Sequence, residues 1–204
     1  MESLSIFIKS VFVDNMIFAY FLGMCSYIAV SKSVKTAMGL GVAVTFVMTA
    51  TVPLNYLLIE YVLKAGALSW LSPSLASVDL TFLSFIIFIA VIASFAQLVE
   101  MTVEKYLPVL HHQLGIFLPL IAVNCAIMGG SLFVEERQYA NIGQATAFGL
   151  GSGIGWLLAI VMMAAIREKL SYSKVPEALR GAGIAFIITG LMGIAFMTFL
   201  GIHL

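Results

Sequence analysis

Leu80–Val99 reads LTFLSFIIFIAVIASFAQLV, twenty residues without a charge, closed off by Asp79 on one side and Glu100 on the other. A helix rises about 1.5 Å per residue, so such a stretch reaches across a hydrocarbon layer about 30 Å thick. Outward from it the same punctuation recurs. Residues 36–59, 113–134, 138–166 and 181–202 are also free of Asp, Glu, Lys and Arg. A sixth block, Leu4–Val30, is long enough but is interrupted by Lys9, Asp14 and Asn15, leaving Met16–Val30 clear of strongly polar side chains. It counts as a span if those polar groups face the interior of a bundle. The pattern predicts an all-α integral membrane protein of six transmembrane helices in a single membrane domain over residues 1–204.

Composition agrees. Of the 204 residues 62% are hydrophobic and 10% charged, against roughly a quarter charged in a soluble domain. Water cannot solvate such a surface, so membrane lipid is the expected solvent. Ten basic residues balance ten acidic ones, which gives no electrostatic ground for a nucleic-acid partner. Met1-Glu2-Ser3 lacks the basic start of a signal peptide, so the first apolar segment is expected to stay in the mature chain. Lys9, Lys64 and Arg137 fall on one side of the membrane. Lys32, Lys35, Lys105, Arg167, Lys169, Lys174 and Arg180 fall on the other. The excess of basic residues assigns the second side to the cytoplasm and both termini to the periplasmic side of a bacterial inner membrane.

The two halves resemble each other. Cys25 and Cys125 are each followed by a polar connection and then by a similar tetrapeptide, Met38-Gly39-Leu40-Gly41 and Phe148-Gly149-Leu150-Gly151. Repeat one is expected over about 1–105 and repeat two over about 106–204. Three helices per repeat is an odd number, so the copies enter the membrane from opposite faces, as an inverted repeat. The cysteine-bearing helices 1 and 4 read as interrupted: Asp14-Asn15 and Gly23 in the first, Pro119, Asn124 and Gly129-Gly130 in the fourth. Proline removes a helical donor and glycine weakens a helix interior, and breaks at matching positions of two halves point to a site near the midplane. Cys25 and Cys125 are then expected to face each other across the pseudo-axis. Two cysteines are too few for a disulfide framework. By residue type alone they are either small apolar filler or metal ligands. A 2Fe–2S or 4Fe–4S centre takes four cysteines, so ligation requires two more from another chain.

Gly149, Gly151, Gly153 and Gly155 form two interleaved small-xxx-small pairs suited to close helix approach. They do not form a dinucleotide loop, because no strand precedes them and no acidic residue follows at the usual distance. Nothing on the chain can hold NADH or ATP. Asp14 and Glu100 are the carboxylates nearest the bilayer interior, and Asp14 is a candidate for an ion pathway. His111-His112 reads as solvated loop beside Pro108. The basic run Arg167–Arg180 reads as orientation signal and lipid or partner contact.

Phe21-Leu22-Gly23-Met24-Cys25 with Ala29-Val30-Ser31-Lys32, and the stretch Leu114–Ile127 (LGIFLPLIAVNCAI), resemble the two cysteine motifs of a family of paired membrane proteins. That family comprises the D-type and E-type subunits of the sodium-translocating NADH:quinone oxidoreductase and their counterparts in the Rnf complex. Asp14-Asn15-Met16, Gly151–Trp156 and Tyr172–Pro176 with Leu179-Arg180-Gly181 are more similar to the E type. The resemblance runs the whole length. Leu68–Ser77 and Glu135-Glu136-Arg137-Gln138 are more individual. The resemblance implies a membrane component that is not catalytic alone. Its Cys25 and Cys125 would ligate a 2Fe–2S iron centre shared with the paralogous D-type partner, in a six-subunit assembly (A to F) whose other members bind NADH, flavins and quinone. It implies an electron relay across the membrane, coupled to sodium export. Two other readings stay open: the Rnf counterpart with ferredoxin as soluble donor, and a small inverted-repeat secondary transporter.

Overall fold

The computed structural model describes residues 2–63, 81–106, 108, 115 and 119–201, and every regular element among them is helical. The first half comprises α1 (Glu2–Phe12), α2 (Met24–Val30), α3 (Val34–Leu58, continued by a π-helical turn over Ile59–Leu63) and α4 (Ser84–Tyr106). The second comprises α5 (Pro119–Ala122), α6 (Cys125–Arg137), α7 (Ile142–Leu170) and α8 (Ala182–Met197, lengthened by a 3-10 turn over Thr198–Gly201). Val34–Leu63, Ser84–Tyr106, Pro119–Arg137 and Ile142–Leu170 are each long and apolar enough to cross a membrane, and Ala182–Met197 is a shorter apolar helix. With the split first segment α1–α2 they make six segments, three per half.

α3 and α7, the matching second helices of the two halves, pack along each other at the centre. Gly41 lies against Leu157, Gly153 against the backbone of Thr45, and Gly149 against Met48 and Val52. Residue numbers fall on one helix as they rise on the other, so the pair is antiparallel, as an inverted repeat requires. Glycines two positions apart point to opposite sides of a helix. Accordingly Gly149 and Gly153 receive α3, while Gly151 and Gly155 receive α1 at Phe7, Ser10 and Val11. The interleaved glycine pairs thus seat two different helices. α7 is buried nearly all round, from Ala145 to Ala164. The outer helices show apolar flanks instead: Phe85, Ile86, Ile89, Leu98 and Met101 on α4, and Phe186, Ile187, Leu191 and Ile194 on α8. An all-apolar helix with one exposed flank is stable when lipid is the solvent. The buried core is continuous across both halves, from Met16 to Ile188.

The interruption expected in the first segment is there, and one detail of the fourth is corrected. Between Phe12 and Met24, the stretch that holds Asp14-Asn15 and Gly23, the backbone leaves the helix. Asn15, fully buried, is the cause: its amide donates to Val11 O (3.0 Å) and Gly155 O (2.9 Å), and its Oδ1 accepts from the N–H groups of Ile17 and Phe18. One side chain thereby ends α1 and starts a separate turn. In the fourth segment Gly129-Gly130 does not break the helix; both lie inside regular α6, where Gly129 meets Leu22 and Gly130 meets Met48. The break is at Val123-Asn124, just before Cys125. His111-His112, Lys64, all of Leu68–Ser77 and all of Leu114–Leu118 except Gly115 lie outside the described residues.

Candidate functional site

Each cysteine stands at the start of a half-helix, Cys25 second in α2 and Cys125 first in α6. The chain turns into α2 through Phe21 (φ 55°) and Gly23 (φ 78°), both left-handed. That conformation suits glycine and is unusual for phenylalanine. Gly23 is required for a second reason. A Cβ there would lie 2.7 Å from Trp156 Nε1, 2.9 Å from Asn124 Oδ1 and 3.1 Å from Ala126 Cβ. The first elbow is pressed into the second.

Asn124 joins them. Its Oδ1 accepts from Ala126 N (3.0 Å), capping α6, while its amide donates to Ser26 Oγ (3.3 Å), the residue after Cys25. Ser26 Oγ in turn donates to Gly23 O (3.1 Å). Asn124 and Ser26 are buried, 2% exposed each. Sequence neighbours of both cysteines thus share one hydrogen-bonded chain, closed from behind by fully buried Trp156, whose N–H has no partner among the described residues. The far end of α2 is held as well, since Arg167 Nη1 donates to Ile28 O and Ser31 Oγ, both at 2.7 Å.

Cys25 and Cys125 are free and exposed rather than enclosed in the bundle. Exposed apolar side chains accompany both, Phe21 four residues before Cys25 and Val123 two before Cys125, 61% and 71% exposed. A groove of about 450 Å³ beside Cys125 is lined by Leu22, Ile92, Val123, Met128 and Phe133 among others. Among the described residues no group of three or more His, Cys, Asp or Glu could hold a metal. The chain's own contribution at this point is two thiols on a fixed frame.

Asp14 sits in the first break and is paired with Arg137 at the end of α6 (2.9 Å). Arg137 also donates to Tyr20 (3.0 Å) and Tyr139 (3.4 Å), and its guanidinium lies over the rings of Phe133 and Phe148. Burial pushes the Tyr139 phenol above its ordinary range, and the hydrogen bond from Arg137 pulls the other way. Lys9, Asp14, Arg137 and Tyr139 line a cavity of about 400 Å³. The carboxylate expected on an ion path is therefore already matched by a cation. Glu100 is half-buried on α4. Along the sequence Arg137 signals orientation only, Asn124 has no visible partner and Trp156 no visible place. The sole local signals were the polar Asn124 beside a cysteine and an arginine at a helix end.

The profile of the family described as "Rnf-Nqr subunit, membrane protein" matches residues 3–203. The chain belongs to the Rnf-Nqr family. Within that family it is 57% identical over 200 residues to the E-type subunit of the Na(+)-translocating NADH-quinone reductase of Maridesulfovibrio salexigens, covering 98% of both chains. It is 55% identical over 201 residues to the E-type protein of the same reductase from Stutzerimonas stutzeri, again covering 98% of both. The corresponding protein of Azotobacter vinelandii is 56% identical over 201 residues, with the same coverage. The two cysteine elbows therefore lie inside the stretch that matches the family, residues 3–203.

Proposed function

We propose that this chain is the E-type membrane subunit of a sodium-translocating NADH–quinone reductase, and that Cys25 and Cys125 hold half of an iron–sulfur centre. The E-type relatives, similar over the whole length, support the first part. The second rests on one observation: two exposed thiols whose neighbouring residues are hydrogen-bonded to each other through Asn124 and Ser26. Thiolate is the donor chemistry that suits iron–sulfur centres, and two is half of the usual set. The missing pair comes from a partner chain, for which the paralogous D-type subunit is the natural candidate. Its seat is the apolar surface of Phe21, Val123 and the groove beside Cys125. Covering that surface excludes water from the sulfurs.

An iron–sulfur centre, when bound, accepts and releases single electrons. This chain's residues fix where that happens. Gly23 lets the elbows approach, Asn124 and Ser26 hold their spacing, and Arg167 anchors the end of α2 behind Cys25. The hydrocarbon layer is about 30 Å thick, too wide for one productive electron step, so a relay between its faces is needed. NADH, flavins and quinone bind other subunits in this reading. In this reading the chain lies in the bacterial inner membrane with both termini periplasmic, which the excess of basic residues in the opposite connections supports.

The test uses the assembled complex. Cys25→Ala and Cys125→Ala each abolish quinone reduction and lower the iron counted per complex, while NADH oxidation by an artificial acceptor continues. Normal quinone reduction in either variant refutes the assignment.

A further inference from the structure

Between the end of α7 and the start of α8, Arg167, Ser171, Ser173 and Arg180 line a cavity of about 200 Å³, together with Leu170 and Ile184 among others. No Asp or Glu lines it; Glu168 and Glu177 belong to the same turns but do not face it. Among the described residues neither arginine is paired with a carboxylate. Arg167 Nη1 is committed to Ile28 O and Ser31 Oγ, which leaves other N–H groups of its five-donor fork. Arg180 closes the opposite side, carried by a 3-10 turn (Glu177–Leu179) in which Arg180 N donates to Glu177 O. Ser171 Oγ already donates to Glu168 O, so the free hydroxyl donor is that of Ser173.

Two guanidinium groups from different elements, a hydroxyl and no competing acceptor charge make a receptor for an oxyanion. The setting specifies which. Tyr172, 90% exposed, and Leu179, exposed as well, adjoin the lining residues Ser171, Ser173 and Arg180 along the chain, the aromatic and apolar residues of a membrane boundary. We propose that this cavity binds a phosphate-ester anion, such as the headgroup phosphate of an anionic lipid. The site shares Arg167 with the anchor of α2, but its argument does not depend on the iron-centre reading.

Native mass spectrometry of the detergent-purified complex tests it, with dioleoyl phosphatidylglycerol, dioleoyl phosphatidylcholine and inorganic phosphate as probes. Wild type retains phosphatidylglycerol over phosphatidylcholine, and Arg180→Gln lowers that retention about fivefold, as loss of one basic residue at a headgroup implies. Ser173→Asp, a change in the loop that puts a negative charge into the cavity, lowers it further and keeps the test open if Arg180→Gln fails to assemble. Retention unaffected by millimolar inorganic phosphate identifies a lipid as the source. Displacement by phosphate identifies a free phosphate ester, with the same chemistry. Equal retention by wild type and both variants overturns the site, as does burial of Arg180 against another chain's carboxylate in the assembled complex.

Discussion

Gly23 and Asn124 are the two residues on which the cysteine frame turns. Gly23 combines a left-handed φ with a contact that leaves no room for a methyl group. Gly23→Ala is expected to destabilise the protein by about 1–3 kcal/mol and to lower bound iron, read as a fall in melting temperature and in iron per complex. Gly190→Ala, inside α8 with nothing within 4 Å of the added carbon, leaves bound iron unchanged and does not lower the melting temperature, because alanine favours a helix interior over glycine. For Asn124 the two functions can be separated. Asn124→Ser keeps a neutral acceptor for Ala126 N but is too short to donate to Ser26, whereas Asn124→Ala loses both. The alanine variant is expected to cost about 1 kcal/mol more than the serine, the worth of a helix cap. Equal thermal unfolding of the two variants would show that capping contributes nothing here.

At the scale of elements, α2 is a seven-residue helix, too short to be stable by itself. It is held between the Gly23 elbow and Arg167 on α7. Arg167→Gln is therefore expected to loosen α2 while leaving α6 in place. Thiol labelling of the isolated chain then speeds up several-fold at Cys25 and stays constant at Cys125. Equal acceleration at both would mean that the arginine supports the bundle as a whole. The break before α2 was legible in Asp14-Asn15, because a short amide side chain competes with the helix for its own backbone. The regular run through Gly129-Gly130 was not legible. Glycine weakens a helix in isolation but is favoured where Leu22 and Met48 press against the backbone, and only packing reveals those neighbours.

Across the whole molecule, Asp14 and Arg137 tie the break of the first half to the last turn of the second half's broken segment. The pair is partly exposed, at 29% and 16% of the arginine and aspartate side chains, so its net worth is modest, about 1 kcal/mol after screening. A double-mutant cycle of Asp14→Asn, Arg137→Gln and both together should give a coupling of that size in thermal stability. It also tests Asp14 as a sodium-path residue. A carboxylate acting on sodium lowers the sodium dependence of turnover when removed, whether or not Arg137 is present. A purely structural pair leaves that dependence unchanged.

Hydropathy is a property of neighbours along the chain, which is why the sequence by itself determined an all-helical membrane protein, its segments, their likeness in two halves and the cysteines at matching breaks. It also carried the resemblance that the family match later bore out. The tertiary structure decided what required two distant segments to meet: Asn124 reaching Ser26 from 98 positions away, Arg137 claiming Asp14, each glycine's partner helix, and the exposure of both thiols. Such contacts depend on directional hydrogen bonds and shape at a few ångströms, and no composition or period along the chain encodes them.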